Sequence, residues 1–279
     1  MTIFVEKMLP LLFHKTEMET NTNINICLVQ SDIDSADKQK NFANDRALLA
    51  QMRQQPDLIV LPEMFSCGFS EDIVSHAETM QGMSVQFMKD ISLQYHAVVI
   101  GSVPIKENTS IYNRLFWIFN GEIVYTYDKR HLYFGCEKTY LTAGHNKSAV
   151  QFHAWNMMPL ICYDIRFPKW CRNEYDAKNK KFLYDILIVI ANFPSVRADA
   201  FQTLLTTRAI ENQAYVFAVN RIGKDGYDNE HKGQTQIIDP FGMTLAQMPD
   251  YQQGVLEYAI NQRYLEKSRL FFPVFEDWD

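Results

Sequence analysis

The sequence predicts an α/β protein in which two β-sheets pack against each other and helices cover their outer faces. Short apolar runs alternate with segments of helical spacing, beginning with a run at 25–30, a helical segment at 34–52 and a second run at 58–61. This order is typical of βαβ units. Asn120 and Gly121, between two later runs, form a strong hairpin signal and add antiparallel strands. Runs that are apolar on both faces, combined with hairpins, favour two packed sheets.

Each element is predicted from the period of its apolar residues. In the segment 84–95, Val85, Met88 and Ile91 recur at helical spacing, whereas the strands are short apolar runs bounded by Pro, Gly or Asn. In chain order, the predicted elements are a strand at 25–30, a helix at 34–52, a strand at 58–61, a helix at 84–95, strands at 97–103, 113–119 and 122–127, a strand ending at 161, a helix beginning at 168, a strand at 185–190, a helix at 197–212, and strands at 215–220, 234–239, 243–247 and 254–258.

No linker, repeat or shift in composition divides the chain, so we predict one domain over residues 23–279. Residues 1–22 are predicted to be an N-terminal extension, with Met18 as an alternative natural start. The apolar cluster at 9–13 is interrupted by Pro10 and is followed by no small-residue cleavage site, which argues against a signal peptide. No run approaches the ~20 apolar residues that a membrane-spanning helix needs.

The composition excludes several classes of protein. Hydrophobic residues make up 47% of the chain and charged residues 22%, which is too apolar for a disordered protein. The net charge is -6, and no run of Lys and Arg is long enough to follow a phosphate backbone, so neither nucleic acid nor a membrane is an expected partner. The eleven glycines contain no G-x-G and no G-x-x-x-x-G-K spacing, which excludes a dinucleotide enzyme.

The cysteines and histidines give no sign of a disulfide framework or a metal site. Five scattered cysteines favour a reducing compartment, and we expect a cytoplasmic protein. They form no C-x-x-C pair, and the seven histidines form no H-E-x-x-H motif. We therefore expect chemistry without a metal or a cofactor.

Cys162 lies where an apolar run stops and a charged stretch with a proline begins. Leu160 and Ile161 are typical of a buried strand, and Pro168 suits the first turn of a helix. A cysteine on a sharp strand-to-helix turn would project into a cleft, with the following backbone N–H groups facing the atom that it attacks. The alternative is a buried structural cysteine.

Two further polar residues end predicted strands. Glu63 follows a buried strand, where partial desolvation would suit it to accept and return protons near neutral pH. Lys129 follows the hairpin and could supply positive charge to an oxyanion. The alternatives are a solvated carboxylate and a surface cation paired with Asp128. Together with Cys162, these residues would provide the base, the electrophilic stabiliser and the nucleophile of an acyl transfer.

Three segments carry a resemblance to a known family. LPEMFSCGF, YDKRHLYFGCEKTYLTAG and PLICYDIRFPKWCRN resemble, in their characteristic order, the signature regions of the nitrilase superfamily, the carbon-nitrogen hydrolases. NFPSVRADAFQTLLTTRAIENQAYVFAVNRIG and GQTQIIDPFG look like the omega-amidase branch. The resemblance covers roughly residues 23–270, nearly the whole chain.

The resemblance implies a fold, an activity and partners. The family's fold is a four-layer α-β-β-α sandwich, usually dimerised through an α layer, so a homodimer or higher homo-oligomer is expected. The omega-amidase branch hydrolyses the side-chain amide of small 2-oxo dicarboxylic acid monoamides, so the expected ligand is a small amide. N-carbamoyl amino acid hydrolysis and nitrile hydrolysis are the closest alternatives within the superfamily.

The resemblance also assigns roles to individual residues. Glu63 is implied to be the general base, Lys129 the lysine that stabilises the oxyanion, and Cys162 the nucleophile that forms a thioester. Glu137 matches the second glutamate, which orients the substrate and Lys129. The backbone N–H of Tyr163 would share the oxyanion with Lys129. In a tight site, we expect the lysine cation to favour the thiolate and the carboxylate together.

Besides Tyr163, three residues are candidates for substrate binding. Phe193 stands where the omega-amidase branch commonly has tryptophan, which keeps an aromatic wall but removes a hydrogen-bond donor. Arg197 is our first candidate for a bidentate pair with a substrate carboxylate, and Arg166 is the second. Arg166 is also a candidate structural partner of Asp164 or of the sharp turn at Cys162.

Two alternative functions outside the family have less support. A Cys/His peptidase would need a histidine paired with Cys162, and no sequence feature selects His131 over the other six. A non-catalytic binding protein would be expected to have lost Glu63, Lys129 or Cys162, and all three are present.

Overall fold

The computed structural model describes residues 23–278 and contains two six-stranded sheets. The predicted extension at 1–22 lies outside the described residues. The strands, in chain order, are β1 (Asn23–Gln30), β2 (Leu58–Val60), β3 (Val98–Glu107), β4 (Ser110–Phe119), β5 (Glu122–Asp128), β6 (Val150–Phe152), β7 (Trp155–Ile161), β8 (Tyr175–Asp176), β9 (Lys181–Phe182), β10 (Ile186–Ala191), β11 (Tyr215–Asn220), β12 (Ile222–Lys224), β13 (Glu230–Lys232), β14 (Gln236–Ile238), β15 (Thr244–Gln247) and β16 (Gly254–Asn261).

Six α-helices and three short 3-10 helices connect these strands within residues 23–278. None of these helices is both long and apolar enough to cross a membrane. The α-helices are α1 (Lys38–Leu49), α2 (Met83–Tyr95), α3 (Cys136–Tyr140), α4 (Pro168–Cys171), α5 (Ala198–Asn212) and α6 (Gln262–Phe271), and the 3-10 helices are Cys162–Arg166, Ser195–Arg197 and Val274–Asp277.

The strand directions bring particular strand ends together. The first sheet has the order β16-β1-β2-β3-β4-β5, and the second has the order β15-β14-β11-β10-β7-β6. β1, β2 and β3 are parallel, as are β7, β10 and β11. β5 is two antiparallel pairings away from β3, so it points in the same direction as β3. The carboxyl ends of β2, β3 and β5 therefore share one edge, and those of β7 and β10 share another.

β1 shows how one apolar run contributes to two cores. Ile26 and Leu28 lie in the core between the sheets, while Cys27 and Val29 lie in the core beneath α1 and α2, because successive side chains of a strand point to opposite faces. On the far side, α5 covers the second sheet and buries Phe201. The layers are thus α-β-β-α, and the predicted four-layer sandwich is confirmed.

The predicted elements agree with the structure in most cases, and the differences have local causes. The helix predicted at 34–52 begins only at Lys38, because Asp37 caps it by accepting the Lys40 N–H at 3.0 Å. α6 is absent from the prediction because its buried residues are one leucine, one serine and one arginine, which leave no apolar stripe. Tertiary packing can therefore bury a helix that the period of apolar residues does not predict.

Asp45, on the buried face of α1, is predicted to destabilise the protein as the pH rises. Its Oδ2 has no hydrogen-bond partner among residues 23–278, and burial raises the pKa of this carboxyl to about 7, opposed only in part by Ser31. The unfolded chain has an aspartate pKa of about 3.9, so the folded state binds more protons between these two values. Stability is therefore fully present below about pH 4 and falls until about pH 7.

The substitution Asp45→Asn removes this titration. We expect urea unfolding to show a variant that is more stable than the parent at about pH 8, by a few kcal/mol on the basis of about 1.4 kcal/mol per pKa unit. Near pH 4 the two proteins should be similar. A variant that is less stable than the parent at both pH values would contradict the prediction.

Candidate active site

The candidate site forms where the carboxyl ends of the two sheets meet. Glu63 follows β2, Lys129 follows β5 and Cys162 follows β7. With Glu137 of α3, these residues line one cavity. The structure thus brings together all four residues that the sequence singled out for the reaction.

Lys129 is the centre of a buried charge cluster. Its ammonium nitrogen lies 2.8 Å from Glu63 Oε1, and 2.7 and 2.9 Å from the two carboxylate oxygens of Glu137. The three residues are only 0–3% exposed, with Lys129 at 1%. A buried charge without a partner costs several kcal/mol, so these three charges are stable only as a unit. The alternatives from the sequence, a solvated Glu63 and a surface Lys129, are therefore wrong.

The cluster sets the protonation of its members. Burial alone lowers the pKa of the Lys129 ammonium, but Glu137 and Glu63 outweigh it and raise that pKa well above its ordinary value. Lys129 is therefore a permanent cation. Burial raises the pKa of the Glu137 carboxyl, and Lys129 opposes this shift.

Glu63 is held in place from both sheets. Asn113 of β4 donates its Nδ2–H to Oε1 at 2.8 Å, and the backbone N–H of Asn192 donates to Oε2 at 2.8 Å. The Asn192 side chain also donates to the Glu63 backbone carbonyl at 2.5 Å. Asn192 directly follows β10, so the rule that selected the other strand-end residues could have found it. Asn113 lies inside β4, and its sequence carries no such signal.

Asp164 fixes the turn at Cys162 relative to Lys129. One carboxylate oxygen accepts from the Tyr127 hydroxyl at 2.7 Å and from the Ile161 N–H at 3.2 Å, while the other is 2.8 Å from His131 Nδ1 and accepts the His131 N–H at 2.9 Å. Tyr127 and His131 flank Lys129 in the chain. This carboxylate therefore sets the distance between the cation and the cysteine. Asp164 accepts its hydrogen bonds from these groups and none from Arg166, so of the two structural partners predicted for Arg166 the pairing with Asp164 is wrong.

Cys162 occupies a strained backbone position. Its φ is +45°, in the left-handed region that side chains other than glycine rarely adopt, at a cost of roughly 1–3 kcal/mol. The strand ends at Ile161, a 3-10 helix that was not predicted begins at Cys162 itself, and α4 begins at Pro168 as predicted. The Tyr163 N–H therefore lies in the first turn of the 3-10 helix, where backbone N–H groups have no intrahelical acceptor. This is the geometry expected of a nucleophile with an adjacent oxyanion donor.

The Cys162 thiol is neutral in the resting site. Burial raises its pKa well above the ordinary value, Glu63 adds to the increase, and Lys129 opposes it. Lys129 lowers the pKa of the thiol, as expected, but desolvation and the two carboxylates outweigh this one cation. A thiol in this environment needs a base at the moment of attack, and Glu63 is the buried carboxylate beside it.

The cavity has a volume of about 100 Å³ and matches a small ligand. Tyr163 and Phe193 line it, and Phe193 is fixed by stacking on Phe201 with ring centroids 4.7 Å apart. Arg166 and Arg197 line it as well, with guanidinium carbons 5.3 Å from the Phe193 ring and 5.1 Å from another ring of the wall. Neither arginine forms an ion pair with a carboxylate of residues 23–278. Both guanidinium groups are thus available to a ligand.

Another wall of the cavity was not predicted. It comes from the hairpin of β12 and β13, whose sequence is polar and lacks an apolar period. Within the described part of the chain, no group of three or more His, Cys, Asp or Glu side chains is arranged to hold a metal ion. The residues of this wall that line the cavity are Asp225, Tyr227, Asn229 and His231.

Comparison with known proteins decides the family. The family model described as carbon-nitrogen hydrolase matches residues 25–269. The chain belongs to the carbon-nitrogen hydrolases. This confirms the resemblance found in the three signature segments and makes this hydrolase an enzyme that acts on amides.

Curated relatives of this carbon-nitrogen hydrolase include named amidases. Omega-amidase YafV from Yersinia enterocolitica is 34% identical over 92% of this chain and 98% of its own length. Omega-amidase YafV from Escherichia coli K12 is 36% identical over 80% of this chain and 84% of its own length. The 2-oxoglutaramate amidase from Bacillus subtilis is 32% identical over 90% of this chain and 96% of its own length.

Solved structures of similar proteins share the fold of this hydrolase. XC1258 from Xanthomonas campestris, a CN-hydrolase superfamily protein with an arsenic adduct in its active site, superposes with a TM-score of 0.88 at 36% identity. The match covers 92% of this chain and 97% of that one. Nit3 from Saccharomyces cerevisiae superposes with a TM-score of 0.80 at 22% identity, covering 93% of this chain and 98% of its own.

Proposed function

We propose that this hydrolase is an omega-amidase, which converts 2-oxoglutaramate and water to 2-oxoglutarate and ammonia through a cysteine thioester. The observation that carries the proposal is the combination, in one small cavity, of a neutral buried thiol, a buried Glu–Lys–Glu cluster and two arginines that form no ion pair within residues 23–278. The thiol and the charge cluster suit amide cleavage, and the arginines suit a substrate that carries a carboxylate. Relatives named for this activity support the same substrate class.

The reaction begins with proton transfer from Cys162 to Glu63. The thiolate sulfur attacks the amide carbonyl carbon, and the carbonyl oxygen becomes an oxyanion. Lys129 and the Tyr163 N–H stabilise this oxygen, at about 3 kcal/mol for one donor of this type. Because Lys129 is already charged and held by two carboxylates, the site reorganises little as the charge develops.

Glu63 then acts as an acid and as a base in turn. Its proton passes to the amide nitrogen, the carbon–nitrogen bond breaks, and ammonia leaves a thioester on Cys162. A water molecule gives a proton to Glu63 and attacks the thioester carbonyl. When this second tetrahedral intermediate collapses, the proton returns to the sulfur and the carboxylic acid product leaves.

One assay distinguishes the candidate activities. Ammonia release is measured from 2-oxoglutaramate and 2-oxosuccinamate, beside an N-carbamoyl amino acid and a simple aliphatic nitrile. We expect the two 2-oxo acid amides to have the highest kcat/KM. A preference for the nitrile or for the N-carbamoyl compound would overturn the omega-amidase assignment and leave the carbon-nitrogen hydrolase family intact.

Arg197 is expected to bind the substrate carboxylate. We expect Arg197→Met to raise KM for 2-oxoglutaramate by roughly 10- to 100-fold, since a charge-assisted hydrogen bond contributes about 1.5–3 kcal/mol. The KM for butyramide, which has no carboxylate, should change much less. Arg166→Met is the matched variant, because both arginines line the cavity over aromatic rings. If only Arg166→Met shows the selective effect, the anchor is Arg166 rather than Arg197.

We also propose that the enzyme works in the cytoplasm as a homodimer. Five free thiols support a reducing compartment. The exposed apolar side chains Ile210, Leu270 and Phe271, on α5 and α6, support association through that helical layer. Light scattering of the purified protein tests the dimer directly.

A further inference from the structure

Tyr133 lines the cavity and contacts two parts of the site, although the proposed reaction gives it no role. Its backbone N–H donates to Glu137 Oε2 at 2.5 Å, and the same carboxylate holds the Lys129 ammonium. The guanidinium carbon of Arg197 lies over its ring, 5.1 Å from the ring centroid. One half-buried residue therefore connects the cation that meets the amide oxygen with our first candidate for the carboxylate anchor.

The ring of Tyr133 is held by other aromatic side chains. It packs edge-to-face against Tyr163, with ring centroids 5.3 Å apart and an angle of 86° between the planes. The Phe134 ring lies 4.2 Å away, at a tilted angle. Edge-to-face contacts of this kind are favoured between aromatic rings. Because the backbone of Tyr133 is also bonded to Glu137, its ring presents a fixed surface to Arg197.

The Arg197 guanidinium has this ring as its support. No hydrogen bond or ion pair within residues 23–278 holds the guanidinium, and Arg197 ends a 3-10 helix of only three residues. A guanidinium favours the face of an aromatic ring, whose electron density attracts the positive charge. Arg166 lies in the same way over Phe193, but that ring stacks on Phe201 of α5. The support of Arg197 is therefore the one that is bonded to the Glu–Lys–Glu cluster.

We infer that Tyr133 selects the length of the substrate by fixing the distance between Arg197 and Lys129. A monoamide of a dicarboxylic acid places its amide oxygen at Lys129 while its carboxylate reaches Arg197, so the number of carbons between these groups must match that distance. A chain of the wrong length engages only one of the two cations well. Tyr133 is thus a positioning residue that acts through Arg197. This inference rests on the proposed omega-amidase function and deepens it.

Chain-length selectivity is measured as the ratio of kcat/KM for 2-oxoglutaramate to kcat/KM for its six-carbon homologue. One methylene in a fitted pocket changes kcat/KM by roughly 10- to 200-fold, and we expect the parent to favour the shorter substrate within this range. Without the ring, Arg197 can shift and accept the longer chain, so Tyr133→Leu should reduce the ratio about tenfold on the same scale, mainly through KM. Tyr133→Phe keeps the ring and should retain the ratio. Equal losses for both substrates in Tyr133→Leu would indicate a structural role and contradict the inference.

Phe193→Leu is the matched control, because it also removes an aromatic ring that supports an arginine of the cavity. We expect this variant to leave the ratio unchanged, whatever its effect on activity. A change as large as that in Tyr133→Leu would show that the ratio follows the cavity volume, and it would overturn the inference.

A double variant tests whether Tyr133 acts through Arg197. Arg197→Met lacks the anchor, so the addition of Tyr133→Leu to it should change the ratio no further, since the effects of two residues that act as one unit are not additive. A second fall in the ratio, as large as that in the single variant, would show that Tyr133 acts independently of Arg197 and would contradict the inference.

The same measurements separate a failure of this inference from a failure of the proposed function. If the parent enzyme does not prefer 2-oxoglutaramate to butyramide, the omega-amidase assignment fails and the inference fails with it. If the parent shows that preference and Tyr133→Leu retains the full chain-length ratio, the assignment stands and the inference about Tyr133 is wrong.

Discussion

Replacing Cys162 with alanine should abolish ammonia release while leaving the fold intact. Removal of the nucleophile from a comparable hydrolytic site costs about 10⁶-fold in kcat, and we expect a loss of at least about 10⁴-fold. Because alanine is smaller than cysteine and the position is strained at φ +45°, the substitution should have little effect on stability. Ammonia release and urea unfolding, measured on the same preparation, test both parts of the prediction.

Cys162→Ser is the matched control for the thiol chemistry. The hydroxyl occupies a similar volume but is a much weaker acid than a thiol, so Glu63 should not deprotonate it readily. We expect the serine variant to fold normally and to be nearly as inactive as the alanine variant. Mass spectrometry of the parent enzyme, quenched during turnover, should show an acyl adduct on the peptide that contains Cys162. Normal turnover by either variant would rule out the thioester route.

Replacing Lys129 with methionine should damage both activity and stability. The substitution leaves the carboxylates of Glu63 and Glu137 buried without the cation between them. Breaking a buried ion pair in this way costs about 3–5 kcal/mol. The loss should be larger at about pH 8 than at about pH 5, because at lower pH a carboxyl can be neutralised by a proton. Activity should fall at least 10²- to 10³-fold, the effect of losing one oxyanion donor.

The double variant Lys129→Met/Glu137→Gln separates the two effects. It leaves Glu63 as the single charged group of the cluster, so the net charge equals that of the parent cluster. Glu63 retains its hydrogen bonds from Asn113 and Asn192. We expect it to regain part of the stability lost by Lys129→Met, as measured by urea unfolding, and none of the activity. A double variant that is no more stable than the single variant would show that the charge cluster is not the source of the loss.

The sequence was sufficient to predict the layers of the fold and the reacting groups. Both follow from strand ends, because an apolar run that stops at a polar residue predicts the edge of a buried sheet as well as the residue placed there. Glu63, Lys129 and Cys162 are each marked in this way. The resemblance added Glu137, which lies on a short helix and ends no strand. The domain boundaries and the catalytic roles of these residues remain predictions.

The rest of the site depends on interactions between distant parts of the chain. Asn113 is an interior strand residue, and its contact with Glu63 exists only because β4 pairs with β3. The hairpin that carries His231 is mostly polar, and its residues belong to neither core. The protonation of Cys162 also could not be predicted, because it depends on whether burial and the charges of Glu63 and Glu137 outweigh the charge of Lys129.

Because both sheets hold Glu63, the position of its carboxylate depends on how the two sheets are aligned. The carboxylate accepts a hydrogen bond from Asn113 in the first sheet and another from Asn192 at the end of β10 in the second. A change in the spacing of the sheets would therefore move it. A shift of about 1 Å in a catalytic group can reduce a rate 10²-fold. Core residues between the sheets, far from the cavity, therefore control the enzyme's acid–base geometry through the spacing that they enforce. Loss of activity should thus report a loosened core well before the chain unfolds.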